Sequence, residues 1–360
     1  MRTNVIKNAL GTTLLLVVLN ACLEIPQQRE DPISQFAPIV RFHGNAIYHW
    51  KTAFDLDETE KDFLKKHSVK RMYVRYFDVD LESSPINGST DIIPVGTTTF
   101  KSAKPNGVEI VPTVFITVKA LASIDDGDDG VDDLASKIYT RVRNMTDYND
   151  MGPIREIQLD CDWTASTKDL YYSLCEKASK LAHADSMLVC STIRLHQLKM
   201  DPPPVDLGVL MVYNTGALRE TRTKNSILDY DDVCSYLAGR QIRYGIPLDF
   251  AYPTYGWGVL FRNGGYNGIL HRTDYSDESL YKKKKDGTFV VKKEHRLDGR
   301  ILLEGDIIRM EYPTADEVKR VADLVVSSVL DTTHNVILYH LDSDNLSNFT
   351  DDEISDIYSY

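Results

Sequence analysis

The chain has 360 residues and a formal net charge of −12. That length fits one large domain or two smaller ones. The acidic excess argues against nucleic acid as the main partner, because phosphate binding needs a basic face. Arg2 and Lys7 then precede a short apolar run from Ala9 to Leu19. The run is too short to span a bilayer and reads as a signal peptide.

The ending of that run, "LNAC" at Leu19 to Cys22, resembles the bacterial lipobox. The resemblance implies cleavage before Cys22 and a diacylglycerol on its sulfur. The alternative is ordinary secretion with cleavage nearby. "LEIPQQREDPISQ" (Leu23 to Gln35) follows as a polar tether. The expected organisation is a lipoprotein signal over 1–22, a tether over 23–38 and one domain over 39–360. The expected location is the bacterial cell envelope, with a lipid anchor in the outer membrane on its periplasmic or surface side. Cys161, Cys175, Cys190 and Cys234 show no metal-like spacing, and reduced, buried cysteines are expected.

From Ile39 onward strand-like and helix-like segments alternate. Strands are predicted at Asn45 to Trp50, Val69 to Leu81, Val108 to Val118, from Ile154, at Ser186 to Leu195, Val205 to Gly216, from Gly245 and at His334 to Asn345. Helices are predicted at Asp57 to His67, at Val131 to Met145 with Leu134, Ile138 and Val142 on one face, after Thr167, over "DYDDVCSYLAGR", and at Thr314 to Leu330. Thr314 and Glu317 have the spacing of a capping box. Eight strands separated by helices predict parallel pairing, and eight such units a closed (β/α)8 TIM barrel. An open doubly wound sheet is disfavoured, because no glycine-rich phosphate fingerprint follows the first strand. Phe261 to Tyr312 breaks the rhythm and reads as a loop plus hairpin inserted before the last helix. Its basic run, Lys282 to Lys285, reads as a solvated loop or hairpin end.

In such a barrel, functional residues gather at the carboxyl ends of the strands. The fourth strand, "IREIQLDCDWTAS" from Ile154 to Ser166, ends in two acids one residue apart. Alternation puts Asp160, Asp162 and Thr164 on one face. Two carboxylates on one face repel unless a metal, a shared proton or a ligand uses them. The other strand ends offer Trp50, Arg75, Asp78, Trp163, Arg194, Tyr213, Tyr252, Tyr255, Trp257, Tyr339 and Asp342. Arg194 and Arg75 are candidates to neutralise the acid pair. Acids, arginines and aromatics together suit a sugar: rings stack on pyranose faces and carboxylates hold hydroxyls.

"IQLDCDWT" (Ile157 to Thr164) resembles the fourth-strand signature of the chitinase-like family 18 glycoside hydrolases, Asp-Gly-Ile-Asp-Ile-Asp-Trp-Glu. "LMVYN" (Leu210 to Asn214) is similar to that family's Met-x-Tyr-Asp, and "VILYHLDSD" (Val336 to Asp344) to its last strand. The resemblance implies that Asp160 and Asp162 match the inner two acids, Tyr213 the tyrosine, and Tyr339 the aromatic floor. The family's catalytic Glu falls on Thr164 and its first Asp on Ile157. A Thr hydroxyl is no general acid near neutral pH. "IYHWKTAF", "YVRYFDVDL", "STIRLHQL" and "IPLDFAYPTYGW", with the fourth strand, resemble a group of gut Bacteroidetes lipoproteins with a glycosidase-like barrel. That likeness implies fold and location rather than reaction.

Three functions follow as expectations. The first is a glycoside hydrolase-like enzyme with Asp160 and Asp162 as catalytic carboxylates. The second is a glycan-binding barrel that has lost its acid at Thr164. The third is a metal-dependent hydrolase using both acids as oxygen ligands. His49, His196 and His340 lack the H-x-H or H-E-x-x-H spacing of a zinc site. No metal or cofactor is expected under the first two readings.

Overall fold

A computed structural model describes residues 41–83, 90–124, 128–271, 274–330 and 333–360. The signal segment, Cys22 and the tether lie outside the described residues. The barrel and what packs on it fall within the compact unit Phe42–Tyr360.

Eight strands form the wall: β1 (Asn45–His49), β2 (Val69–Ser83), β3 (Glu109–Ile116), β4 (Glu156–Asp160), β5 (Leu188–Arg194), β6 (Leu207–Met211), β7 (Leu248–Pro253) and β8 (Val336–Tyr339). Each pairs in parallel with the next, and β8 pairs in parallel with β1, which closes the barrel. The expected (β/α)8 architecture is therefore the observed one. The far half of β2 continues past the wall and pairs antiparallel with Thr90–Val95.

Helices fill most crossovers: α1 (Glu58–Lys66), α2 (Val118–Ala122), α3 (Asp128–Tyr148), α4 (Lys168–Ala184), α5 (Tyr230–Leu237) and α6 (Ala315–Ser328). Short α7 (Ser343–Leu346) and α8 (Asp351–Tyr358) follow β8. Between β5 and β6 only one 3-10 turn intervenes, Leu195–Lys199. Asp57 and Glu60 make a full capping box at α1. At α6 the expected box is half made. Thr314 accepts from the Glu317 amide at 3.2 Å, while the Glu317 carboxylate accepts from the Tyr230 backbone.

The inserted segment is more than the expected loop and hairpin. Trp257–Arg262, Gly265–Leu270, Tyr281–Lys283, Phe289–Val291 and Ile307–Glu311 form an antiparallel five-stranded sheet. A two-stranded hairpin, His295–Leu297 with Arg300–Leu302, adds to it. Leu260, Leu270, Tyr275, Tyr281, Val291, Leu302 and Ile308 give it an apolar core of its own. Several of these strands are three residues long and flanked by Lys and Gly, so they leave little alternation to read. The basic run falls at the turn of one hairpin, as expected.

Barrel interiors are usually layered with branched apolar side chains. Here alternate β4 residues build polar layers instead. At the base, Glu156 accepts from Arg71 at 2.6 Å and Tyr73 at 3.4 Å, and Arg71 also donates to Glu109 at 3.0 Å. Above it, Gln158 accepts from Tyr48 at 2.9 Å and Thr113 at 3.2 Å. Asp160 forms the layer nearest the mouth.

Burial pushes the Glu156 carboxyl up to about 7, against the pull of Arg71. A carboxyl raised on folding favours the folded state most at low pH. Its contribution is full below the usual carboxylate range and is lost as pH rises through 7. The Glu156→Gln variant lacks this loss. Urea unfolding at about pH 5 and about pH 8 should show the variant gaining relative to the parent as pH rises. An unchanged difference would place the Glu156 proton elsewhere.

Candidate functional site at the barrel mouth

Asp160 ends β4 facing inward and is 3% exposed. It accepts from Thr192 at 2.6 Å and from Arg194 Nη2 at 3.1 Å. Asp162, two residues on, faces the same way but stands at the rim, its side chain 56% exposed. Arg194 Nε donates to it at 2.5 Å. The third guanidinium nitrogen lies against the Met211 sulfur. One arginine thus supplies the countercharge for both acids. Burial raises the Asp160 carboxyl, while Arg194 and Thr192 pull it back.

Arg75, the other arginine expected to serve these acids, binds Asp78 instead, through Nε at 2.8 Å and through Nη2. The guanidinium of that pair lies 5.8 Å from the Trp50 ring. Asp342 also has a structural partner set. It accepts from the Asn345 amide at 3.1 Å as the α7 cap and pairs with Lys51 at 2.9 Å.

Above the acids lies a platform of rings. Tyr339 is its hub, 4.7 Å from Tyr213, 5.4 Å from Tyr48, 5.5 Å from Tyr255 and 5.9 Å from Trp50. Tyr255 reaches on to Trp257 at 5.3 Å and donates to Asn214 at 2.6 Å. The Tyr213 hydroxyl is buried and meets no hydrogen-bond partner among the described residues. Burial raises its pKa, with Tyr339, Tyr48, Arg194 and Asp160 close enough to act on it. The structure therefore gathers Trp50, Arg75, Asp78, Asp160, Asp162, Arg194, Tyr213, Tyr255, Trp257, Tyr339 and Asp342 around one barrel end.

Trp163 and Tyr252 depart from expectation. Trp163 is fully buried and stacks on Tyr171 of α4 at 6.2 Å. It follows Asp162, so strand parity turns it to the helix side. Tyr252 is fully buried too, beside Asp323 of α6 and Tyr360. Neither presents a ring to the mouth.

Sequence reasoning passed over Thr192 and Glu311. The signal for Thr192 is its inward parity with Arg194 on a strand registered against β4. Glu311 is buried and accepts from Trp257 Nε1 at 2.8 Å, from the Ser226 amide at 3.0 Å, from the Ser226 hydroxyl and from Arg309 at 2.5 Å. It ties the inserted sheet to the platform. No local motif marks it.

Thr164, at the position of the family's acid, is exposed. Its hydroxyl lies 2.9 Å from Ser166, and its amide donates to Thr167 at 3.0 Å. It shapes the start of the βα loop. A cation between Asp160 and Asp162 would meet the Arg194 guanidinium. Among the described residues no three His, Cys, Asp or Glu side chains converge as a metal cluster. Cys161, Cys175 and Cys190 are buried and free, and Cys234 is free and half-buried.

Two surface hollows, of about 590 and 460 Å³, run along α3 and open at the amino-terminal end of β2 and β3. Neither shares a residue with the platform. Of the platform rings Tyr48, Tyr213 and Tyr255 are buried, and Trp50, Trp257 and Tyr339 stay partly exposed for stacking.

No family model matches the chain, and no curated protein matches it. The resemblance to lipoproteins therefore rests on the motifs alone. Among solved structures the chain is similar to a chitinase from Chromobacterium violaceum, at 11% identity over 87% of this chain and 97% of that one, with a TM-score of 0.45. It is similar to a Group IV chitinase of Ostrinia furnacalis, at 8% identity over 88% and 98%, with a TM-score of 0.48. The spore cortex-lytic enzyme SleL of Bacillus megaterium gives 12% identity over 87% and 76%, with a TM-score of 0.44. The barrel assignment itself stands on the closed strand order.

Proposed function

We propose that this chain is a lipid-anchored glycan-binding barrel of the cell envelope. It stacks a sugar ring on the Tyr339 platform and does not cleave it by two-carboxylate chemistry. The observation that carries this reading is Arg194 holding both Asp160 and Asp162. Glycoside hydrolysis needs one carboxyl to deliver a proton and another to stabilise or attack the sugar. A guanidinium bonded to both engages both in one ion-pair cluster, and Thr164 supplies no acid. The platform, the rim carboxylate and the unpartnered Tyr213 hydroxyl remain suited to binding. The hydroxyl is placed to donate to a ligand oxygen, and Trp50 and Trp257 border the approach.

Tyr213→Phe separates this reading from a core role. A buried hydroxyl without a partner carries an uncompensated desolvation cost, so removing it should leave the fold as stable or more stable, by up to about 1–3 kcal/mol. Affinity for the preferred oligosaccharide should fall about tenfold, the loss of one ligand hydrogen bond. Calorimetry on a glycan panel checks it. Unchanged affinity would remove Tyr213 from the site, and no binding across the panel would sink the glycan reading. One observation favours the second reading, hydrolysis through Asp162: its side chain is 56% exposed at the rim.

A further inference from the structure

One turn of the inserted sheet is basic, Lys282 to Lys285 before Asp286, and the topology shows where that turn lies. Strand Ile307–Glu311 runs toward the barrel, ending at Glu311 beside Trp257. Phe289 pairs with Ile308 and Val290 with Ile307. The strand that begins at Phe289 therefore runs away from the barrel, and the turn before it projects back toward the mouth. That turn carries Lys284 and Lys285 and closes through Lys284 N to Thr288 O at 2.7 Å. Gly287 takes a φ of 86° there, a left-handed conformation that glycine adopts without strain. Lys282 to Lys285 are all exposed.

A second basic segment meets the same strand. Arg309 donates to Glu220 O at 2.6 Å and Leu218 O at 3.1 Å, and Asn225 Nδ2 donates to Tyr312 O at 3.1 Å. These bonds fasten the loop after β6 along Ile307–Glu311, and its Arg222 and Lys224 are exposed. Among the described residues neither these two nor the lysine run forms an ion pair. Tyr312, at the mouth end of the strand, is 48% exposed. Cations from two separate segments thus meet one sheet, and the exposed Tyr312 ring lies at the mouth end of its strand.

We infer that the glycan this barrel binds is anionic, bearing sulfate, phosphate or uronate groups, and that its charged extension lies along Arg222, Lys224 and the Lys282–Lys285 turn. This rests on the glycan reading of the mouth. The exposed Tyr312 ring at the end of the same sheet suits a sugar face, which favours a polysaccharide over a lipid surface. Unpaired surface cations raise the local concentration of a polyanion, and salt screens the effect.

The test uses the soluble chain, a sulfated and a uronate-bearing oligosaccharide, and their neutral counterpart. Calorimetry is run at about 50 mM and about 300 mM salt. The parent should bind an anionic ligand about tenfold tighter than the neutral one at low salt, with the preference shrinking at high salt. Arg222→Glu/Lys224→Glu and Lys284→Glu/Lys285→Glu should each cut anionic affinity severalfold. An unchanged thermal midpoint serves as the fold control. Equal binding of neutral and anionic ligands would overturn the inference and leave the glycan reading standing. Charge-dependent binding to phosphatidylcholine–phosphatidylglycerol vesicles, with no soluble polyanion bound, would overturn it in favour of a membrane-facing surface. No binding of any glycan would remove the reading beneath it.

Discussion

Arg194→Met should lower stability by roughly 3–5 kcal/mol, the usual cost of leaving a buried charge without its partner. Asp160 is 3% exposed and would keep only Thr192 at 2.6 Å. Asp162 can turn to water, so most of the cost belongs to Asp160. Burial already raises that carboxyl and Arg194 opposes the rise. Without Arg194 its folded pKa climbs further. A raised folded pKa contributes stability that is present at low pH and lost as pH rises. The deficit of the variant should therefore be larger near pH 8 than near pH 5. The double variant Arg194→Met/Asp160→Asn should recover part of the loss, since the buried charge is gone. Denaturant unfolding across that pH range checks both statements. A loss below about 1 kcal/mol would mean that the pair is solvated and worth no more than a surface bridge.

Glu311→Ala is the second large effect. The carboxylate is buried and collects donors from three places: Trp257 at the platform edge, Ser226 in the loop after β6, and Arg309 within the inserted sheet. Alanine leaves the buried Arg309 charge and the Trp257 and Ser226 donors without this acceptor. The expected loss is again roughly 3–5 kcal/mol. Glu311→Gln keeps an acceptor oxygen and should lose less. Trp257 loses its Nε1 partner in the alanine variant, so ligand affinity should fall along with stability. Unfolding curves and calorimetry on the same variants test this. A stable Glu311→Ala chain with parental affinity would show that the sheet is held to the barrel by its apolar contacts alone.

The barrel was legible because its signals are local. Apolar strand runs alternate with amphipathic helices, and eight repeats leave few closed topologies. The acid pair was legible too, since parity puts Asp160 and Asp162 on one face. Parity also argued against Trp163 and Tyr252. Trp163 continues the outward set of Leu159 and Cys161, and Tyr252 that of Phe250. The chitinase-like motif and the strand-end position drew them into the candidate set, and the strand period overrules both. The partner of the acids was half legible. Arg194 and Arg75 were both candidates, but choosing between them needs the β4–β5 neighbourhood across more than thirty residues of chain. Glu311 was out of reach for the same reason: its donors come from residues 226, 257 and 309. The inserted sheet was hidden because strands of three residues carry too little period to read.

The most direct test of a barrel that binds without cleaving is mass spectrometry of sugars released from host and bacterial glycans. The soluble chain lacking residues 1–22 would be compared with its Asp162→Asn variant. Neither should release sugar, while calorimetry should show the parent binding at least one glycan. Release by the parent that is lost in Asp162→Asn would contradict it and establish Asp162 as a working catalytic carboxylate.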